Sequence, residues 1–298
     1  MMSKNEHNRM EVESTTDRHE DNSDAVETMQ EPLSIRNLNV VPASLKIWNG
    51  VAVIVQFAQA AALFALSANA DNAYYWYTNY PATFEDRDEN PEEFGRPGPT
   101  EVADFSITWY SAVFILLSGL DHLTCIIFWS TYKYQIERHQ NHFRWAEYSI
   151  SASLMRIMIA QLAGVTDIHL IWMLFASTAI TMILGGIHES VNAKARADGL
   201  KQNWYPFLAA WIPHLACWLV IFNYFFKAVI EGDPPNFVWA IIFVLFFLDG
   251  CFAILFTLQW FKIGIFKDYV AGEKGFIVLS FTGEGSFGLD QLRRGIPI

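Results

Sequence analysis

The chain has 298 residues, of which 52% are hydrophobic and 15% aromatic, while only 17% are charged. This composition excludes an average soluble domain. The net charge of −11 comes from two acidic stretches: residues 1–35 hold nine Asp or Glu against three Lys or Arg, and residues 67–105 hold nine against two. Because no basic face is left for nucleic acid, a nucleic-acid partner is not expected.

Residues 1–35 are polar and acidic and lack the apolar segment of a signal peptide, so we expect a disordered cytoplasmic tail. The apolar residues that follow come in long blocks, each close to the ~20 residues that a membrane-spanning helix needs. Six full blocks and a shorter seventh block predict an all-α membrane protein, a bundle of seven transmembrane helices in contact with the lipid bilayer. The blocks are approximately 46–67, 106–132, 143–165, 168–190, 204–229, 236–262 and 268–282.

Lysine and arginine are concentrated in every second connection, which fixes the expected orientation. Cations lie between spans two and three, four and five, and six and seven, whereas the other connections are poor in them. The amino terminus is therefore predicted to be cytoplasmic. The connection 67–105 is then extracellular, and its "YYWYTNYPATF" segment fits either a β-hairpin or an irregular loop with interfacial aromatic residues.

Ionisable residues inside spans are costly, so each is a candidate site residue. In span three, Glu147 and Ser151 are four residues apart and share a helix face, whereas Arg156 lies about 180° from Glu147 at roughly 100° per residue. Glu147 is either an acceptor for a buried cation or a headgroup-level carboxylate. Asp249, deep in span six, would be neutral without a partner.

Span two carries Asp121 and His122 near its middle, where a histidine is either a proton-handling group or a packing residue. At the end of span four, His188 and Glu189 are expected to face cytoplasmic water. The three cysteines have no metal-binding spacing and sit in apolar blocks, as buried thiols do. No hydrolytic or redox arrangement stands out, so an enzyme is not expected.

Four segments together resemble the heliorhodopsins, a retinal-protein family with inverted membrane orientation. They are "SAVFILLSGLDHL" in span two, "RWAEYSISAS" in span three, "NWYPFLAAWIPHLACW" in span five and "EKGFIVLS" entering span seven. The resemblance covers approximately residues 36–282. It implies a light sensor that modulates partners rather than an efficient ion pump, and the spans indeed show no continuous ladder of acids between the two faces.

The resemblance also assigns site residues. It implies that Glu147 is the counterion of a protonated retinal Schiff base, that Ser151 is its neighbour, and that His122 belongs to a cytoplasmic-side polar cavity. The histidine that the family carries in span one corresponds to Gln56, in "VIVQFAQA", which removes one titratable group.

The largest departure from the family is at the lysine that bonds retinal, because Glu284 stands at that position. Lys274 lies ten residues earlier, roughly 15 Å along a helix at ~1.5 Å per residue, so it cannot substitute. Covalent attachment of retinal is therefore not expected in this chain. The apolar pattern of span seven also stops at Thr282, which predicts a truncated seventh helix. Residues 283–298 are an atypical tail, for which one hypothesis is an intron read as coding sequence.

Three functions follow from this interpretation. The first is a light-sensing retinal protein of the plasma membrane, provided that the natural chain carries the lysine, with a cytoplasmic signalling partner and a homodimer as further expectations. The second is a retinal-free membrane interaction or scaffold protein on the same bundle. The third is a proton or ion channel lined by Asp121, Glu147 and Asp249, which ranks last because no repeat of broken helices is visible.

Overall fold

The computed structural model describes residues 38–68, 73–78, 99–232 and 236–294, and Asn39–Ile298 forms one compact unit. The predicted tail 1–35 and the "EDRDENPEEFGRP" part of the connection 67–105 lie outside the described residues. Eight α-helices, two strands and one 3-10 helix, Gly264–Lys267, make up the described ranges. The helices are α1 Ala43–Ser67, α2 Ile107–Ile127, α3 Trp129–Glu137, α4 His142–Leu162, α5 Ile168–Asp198, α6 Tyr205–Glu231, α7 Asn236–Trp260 and α8 Tyr269–Arg294.

Eight helices instead of seven arise because the second predicted span is divided at Phe128. This residue leaves helical geometry (φ −96°, ψ 40°), and its N–H bonds to the Thr124 carbonyl before α3 resumes. The remaining seven helices each have at least 21 residues, or about 32 Å at a rise of ~1.5 Å per residue, enough to cross a core of roughly 30 Å.

Five of the long helices are also apolar enough to cross a membrane, namely α1, α2, α5, α6 and α7. The prediction of seven apolar spans is therefore confirmed for five. Helices α4 and α8 are the exceptions, and among the described residues they carry three of the six buried Arg, Asp and Glu side chains, namely Arg144, Arg156 and Glu273. Their polar side chains face neighbouring helices. Exposed isoleucine, leucine and aromatic side chains on the apolar helices give the bundle the outer surface of an integral, multi-pass membrane protein.

The last helix corrects the prediction that span seven is truncated at Thr282. Helix α8 has 26 residues and continues to Arg294. Single glycines cost a helix only about 1 kcal/mol each, so Gly283 and Gly285 weaken it without ending it. Arg293 and Arg294 suit the negative end of the helix dipole, and a glycine follows directly in the sequence.

The helices close into a ring. Helix α2 packs against α1, α4 and α8, α5 packs between α4 and α6, and α8 contacts α1 and α7. Aromatic pairs complete the ring between α6 and α7, with ring centroids 5.0 Å apart for Trp218 and Phe246 and 4.9 Å apart for Phe225 and Trp239. The interior of this ring holds the sites described below.

Caps and tight turns fix where α4 and α5 begin and end. The Asn141 side chain accepts a hydrogen bond from Arg144 N at 3.1 Å, and Asp167 accepts one from Leu170 N at 2.9 Å, so each satisfies a free helix amide. Gly199 ends α5 with φ +74°, a conformation that glycine adopts without strain. The turns before α4, after α5 and after α7 carry Arg138, Lys201, Lys262 and Lys267, and we call this end of the bundle the basic end.

Two antiparallel strands form in the connection between α1 and α2, β1 Ala73–Thr78 and β2 Thr100–Ser106. Ala73 pairs with Ser106 and Thr78 with Thr100, and the register shifts between Trp76 and Tyr77. Tyr77 N also donates a hydrogen bond to the Thr166 carbonyl, 2.9 Å away in the α4–α5 turn. The strands therefore cover the end of the bundle opposite the basic end, which we call the hairpin end.

Candidate functional site

A large apolar cavity lies inside the ring between α2, α4, α5, α6, α7 and α8. Its empty volume is about 1120 Å³, including the open space at its mouth. Aromatic side chains form much of its wall: Phe114, Trp145, Tyr148, Phe207, Trp211, Phe252, Phe256 and Phe276. Such a wall suits a flat apolar molecule.

A smaller polar cavity of about 350 Å³ lies next to it, toward the basic end. Its wall includes Asp121, His122, Glu147 and Glu273, together with Arg144. The carboxylates thus outnumber the cation. The arrangement can accept hydrogen bonds or hold a cation, but it does not suit an anion.

Three residues line both cavities and form the boundary between them: Tyr148, Phe276 and Ser280. Ser280 is buried, and its hydroxyl accepts a hydrogen bond from Gln56 Nε2 at 3.3 Å. A long molecule in the apolar cavity could therefore present its end group to polar side chains at Ser280. We call this boundary the junction.

The polar cavity contains three of the residues singled out in the sequence, Asp121, His122 and Glu147. Glu147 Oε1 accepts a hydrogen bond from Ser118 at 2.6 Å, and His122 Nδ1 lies 2.8 Å from Asn49 Oδ1. Glu147 therefore lines the polar cavity between the helices. The partners Ser118 on α2 and Asn49 on α1 were not predicted from the sequence. The one sequence signal was the four-residue spacing of Ser118 and His122, which places both on one face of α2.

The other predicted residues lie at the apolar cavity or at its boundary. Ser151 lines the apolar cavity, so the structure places it apart from Glu147, in the neighbouring cavity. Gln56 is fully buried and reaches the junction through Ser280. Gly283 lines the apolar cavity, and Glu284 follows it in α8, but its side chain lies outside what the structure describes.

Among the described residues, no lysine lines either cavity. Lys274 is the lysine nearest in sequence to the junction, and its Nζ donates a hydrogen bond to Ser44 Oγ at 3.2 Å, at the start of α1. This contact holds the amine at the basic end. It agrees with the expectation that Lys274 cannot replace an amine at position 284.

A buried charged cluster closes the polar cavity at the basic end and was not predicted from the sequence. We call it the Arg144 cluster: Asn141, Arg144, Glu189 and Glu273. Arg144 Nη2 lies 2.7 Å from Glu189 Oε2, its Nη1 pairs with Glu273, and Asn141 Nδ2 donates to Glu273 Oε2 at 2.7 Å. The cluster therefore joins α4, α5 and α8.

The expectation that His188 and Glu189 face cytoplasmic water is wrong, because both are fully buried. Glu189 binds Arg144, and the His188 ring lies 5.0 Å from that of Trp204. Nearby, Lys262 Nζ donates to the Arg196 carbonyl at 2.5 Å, and burial together with the charge of Arg196 lowers the pKa of this lysine.

A second buried ion pair borders the apolar cavity on the other side. Arg156 Nη2 lies 2.8 Å from Asp249 Oδ2, which also accepts a hydrogen bond from Trp218 Nε1 at 2.7 Å. His214 Nε2 is 3.6 Å from the same oxygen. Asp249 therefore has a charged partner, which the sequence interpretation did not supply.

Comparison with known proteins gives one family and one fold. The family model described as Heliorhodopsin matches residues 45–286. The crystal structure of a light-driven proton pump, LR (Mac), from Leptosphaeria maculans is similar with a TM-score of 0.55 and 16% identity, over 84% of this chain and 95% of that one. At this identity the likeness shows the fold alone. No curated protein matches the chain significantly.

Proposed function

The chain belongs to the heliorhodopsin family. From this premise we propose that the bundle senses light through a retinal in the apolar cavity. The proposal applies to a form of the protein that carries a lysine at position 284. One observation carries the proposal: the aromatic cavity meets a carboxylate-rich polar cavity at Tyr148, Phe276 and Ser280. A light sensor needs titratable side chains next to the cavity of its chromophore, because the light-driven change in the chromophore must alter a protonation state or a charge of the protein.

The described residues fit the two parts of a bound retinal differently. The apolar, aromatic wall suits its polyene chain. The covalent bond does not fit, because an imine needs an amine and no described lysine reaches the cavity. We therefore derive no reaction through a retinal bond in the chain as it stands.

The polar residues have roles that do not depend on that bond. Glu147, held by Ser118 at 2.6 Å, supplies a negative charge beside the junction. His122 and Asn49 offer a place for a proton in the same cavity. The Arg144 cluster separates this cavity from the basic end, so a change in charge at Glu147 would first be felt by Arg144 and Glu273.

We further propose that the protein lies in the plasma membrane with its basic end facing the cytoplasm, where it binds a signalling partner. The distribution of lysine and arginine supports this orientation. A homodimer within the membrane belongs to the same proposal. In this orientation the strands β1 and β2 lie outside the cell.

A retinal-free interaction or scaffold protein is the second candidate function. Glu284 favours it, since the chain as it stands has no amine at the family's attachment position. Sequencing the mature transcript across the codons for Ser280–Glu284 separates the two candidates. A lysine codon at position 284 supports the light sensor, and a glutamate codon supports the second function.

A pigment test addresses the cavity itself. The full chain, Glu284→Lys and the matched control Glu284→Gln are purified and incubated with all-trans-retinal. We expect a visible absorption band that hydroxylamine bleaches only for Glu284→Lys, because only that variant offers an amine. If folded Glu284→Lys gives no such band, the cavity is not a retinal site and the proposal fails.

A further inference from the structure

We propose that the chain as it stands binds an uncharged, linear isoprenoid polyene non-covalently, with a hydroxyl end group placed at the junction. The inference rests on the same cavity as the proposed function, but it needs neither a lysine nor light. It follows from a mismatch within the protein: the chain of a retinal-protein family has an apolar cavity but lacks the amine that would bond the ligand.

The length and wall of the cavity define the ligand body. On α4 the lining residues extend from Trp145 to Met155, about 15 Å at a rise of ~1.5 Å per residue. The polar lining groups beyond the junction are few, and Asp249 among them is already paired with Arg156 at 2.8 Å. The cavity therefore suits an apolar ligand, and the aromatic wall favours a flat conjugated chain over a flexible saturated one.

The junction defines the end group. Ser280 and Tyr148 lie at the boundary, with the Glu147 carboxylate in the cavity behind them. The guanidinium of Arg144 is engaged by two carboxylates, Glu189 and Glu273. Hydrogen-bond acceptors with negative charge therefore dominate the space that the ligand end reaches. A hydroxyl satisfies them as a donor, and its transfer from water does not bury a new charge.

The same groups discriminate against an acid of the same carbon skeleton. A carboxylate at the junction would face Glu147, and the charge of Arg144 is already matched by Glu189 and Glu273. Like charges in a buried site raise the free energy of the bound state, so the acid must either bind as its neutral form or not bind. The expected order of affinity is alcohol above carboxylic acid.

The first test is a titration of the full chain in lipid nanodiscs with all-trans-retinol. Trp145 and Trp211 line the cavity, so bound retinol should quench tryptophan emission and emit by energy transfer in a saturable way. Empty nanodiscs correct for partition into lipid. All-trans-retinoic acid should bind about tenfold more weakly or worse, a difference of about 1.4 kcal/mol or more.

Variants then place the ligand in the cavity. Ala152 lines it on α4, and Ala152→Trp should reduce retinol affinity about tenfold or more by filling the space. Ala176→Trp is the matched control, because Ala176 is exposed on α5 away from the cavity lining. If Ala152→Trp does not fold, Ala253→Phe on the opposite wall serves the same purpose.

The proposal is overturned if retinol gives no saturable signal, if a folded cavity-filling variant binds as the original chain does, or if the acid binds as tightly as the alcohol. These results are separable from the pigment test. A visible band for Glu284→Lys without retinol binding by the original chain rejects this inference alone. Retinol binding without a band for Glu284→Lys rejects the light sensor alone.

Discussion

Asp249 and Arg156 show what one pair of residues contributes inside this bundle. They are 93 residues apart in the chain and 2.8 Å apart in the structure, both almost fully buried. A buried carboxylate or guanidinium without a partner is strongly unfavourable, whereas the pair itself contributes little relative to apolar residues of similar size. Each of the two charged side chains therefore needs the other in order to be buried, but the pair adds little to the free energy of unfolding.

This asymmetry leads to a prediction for single and double variants. Asp249→Asn should destabilise the protein by about 3–5 kcal/mol, because Arg156 keeps its charge and loses its partner. The double variant Arg156→Met/Asp249→Leu should recover most of the loss. Thermal unfolding in detergent, followed by circular dichroism, measures both. A double variant as unstable as Asp249→Asn would contradict this explanation.

For single residues, the sequence predicted the helix face of a side chain better than it predicted the side chain's interaction partner. Helical spacing correctly set Arg156 on the face of α4 away from Glu147, and the two side chains indeed meet different neighbours, Asp249 and Ser118. The partners themselves come from other helices. Periodicity within one helix carries no information about them, which is why the pairing of Asp249 and the Arg144 cluster were both missed.

Helices α4 and α5 approach closely at a pair of glycines. A Cβ added to Gly185 would collide with the six-membered ring of Trp145, and one added to Gly186 would lie 3.1 Å from Trp145 Cγ. Small residues allow such close contact between helices in membranes. Because Trp145 also lines the apolar cavity, this contact holds a cavity wall in place.

We therefore expect Gly185→Ala to destabilise the bundle by about 1–3 kcal/mol, since the indole must move in a packed interior. Gly250→Ala is the matched control: no atom lies within 4 Å of its added Cβ, and alanine is the better helix former. Thermal unfolding and tryptophan emission report the difference. Equal midpoints for the two variants would show that Trp145 is not fixed by Gly185.

The last helix marks a limit of prediction at the level of elements. Hydropathy alone ended span seven at Thr282, yet α8 continues to Arg294. Its first turns gain stability from contacts with α1, α2 and α7, which a hydropathy pattern does not record. The same reasoning explains α4, whose buried charges lower its hydropathy while their partners in other helices make burial acceptable.

For the whole molecule, the distribution of lysine and arginine predicts the orientation of the bundle. An epitope tag before residue 36 should be hidden from antibody in intact cells and become accessible after permeabilisation, because the basic end stays in the cytoplasm. A tag placed in the connection 79–98 should be accessible without permeabilisation. The reverse labelling pattern would show that the bundle has the opposite orientation, and it would contradict the proposal of a cytoplasmic partner at the basic end.

The multi-pass helical fold was therefore accessible from composition and apolar blocks, as five of the seven predicted spans show. The shape of the interior was not. The two adjoining cavities depend on how side chains from all eight described helices leave space between them, as at Phe114, Phe207 and Phe276 in the apolar cavity. Neither block length nor charge counting predicts that volume, and the family resemblance supplied only the expectation of a polar cavity that includes His122.

The apolar cavity has a genetic consequence. Its described wall is made by residues of α2 and α4–α8, and Gly283, the neighbour of residue 284 in the chain, is one of them. Glutamate and lysine codons differ only in their first base. A single point mutation would place an amine next to a cavity that already exists, and the reverse mutation would remove the amine. Gain and loss of a pigment in such a lineage need not involve any rebuilding of the protein.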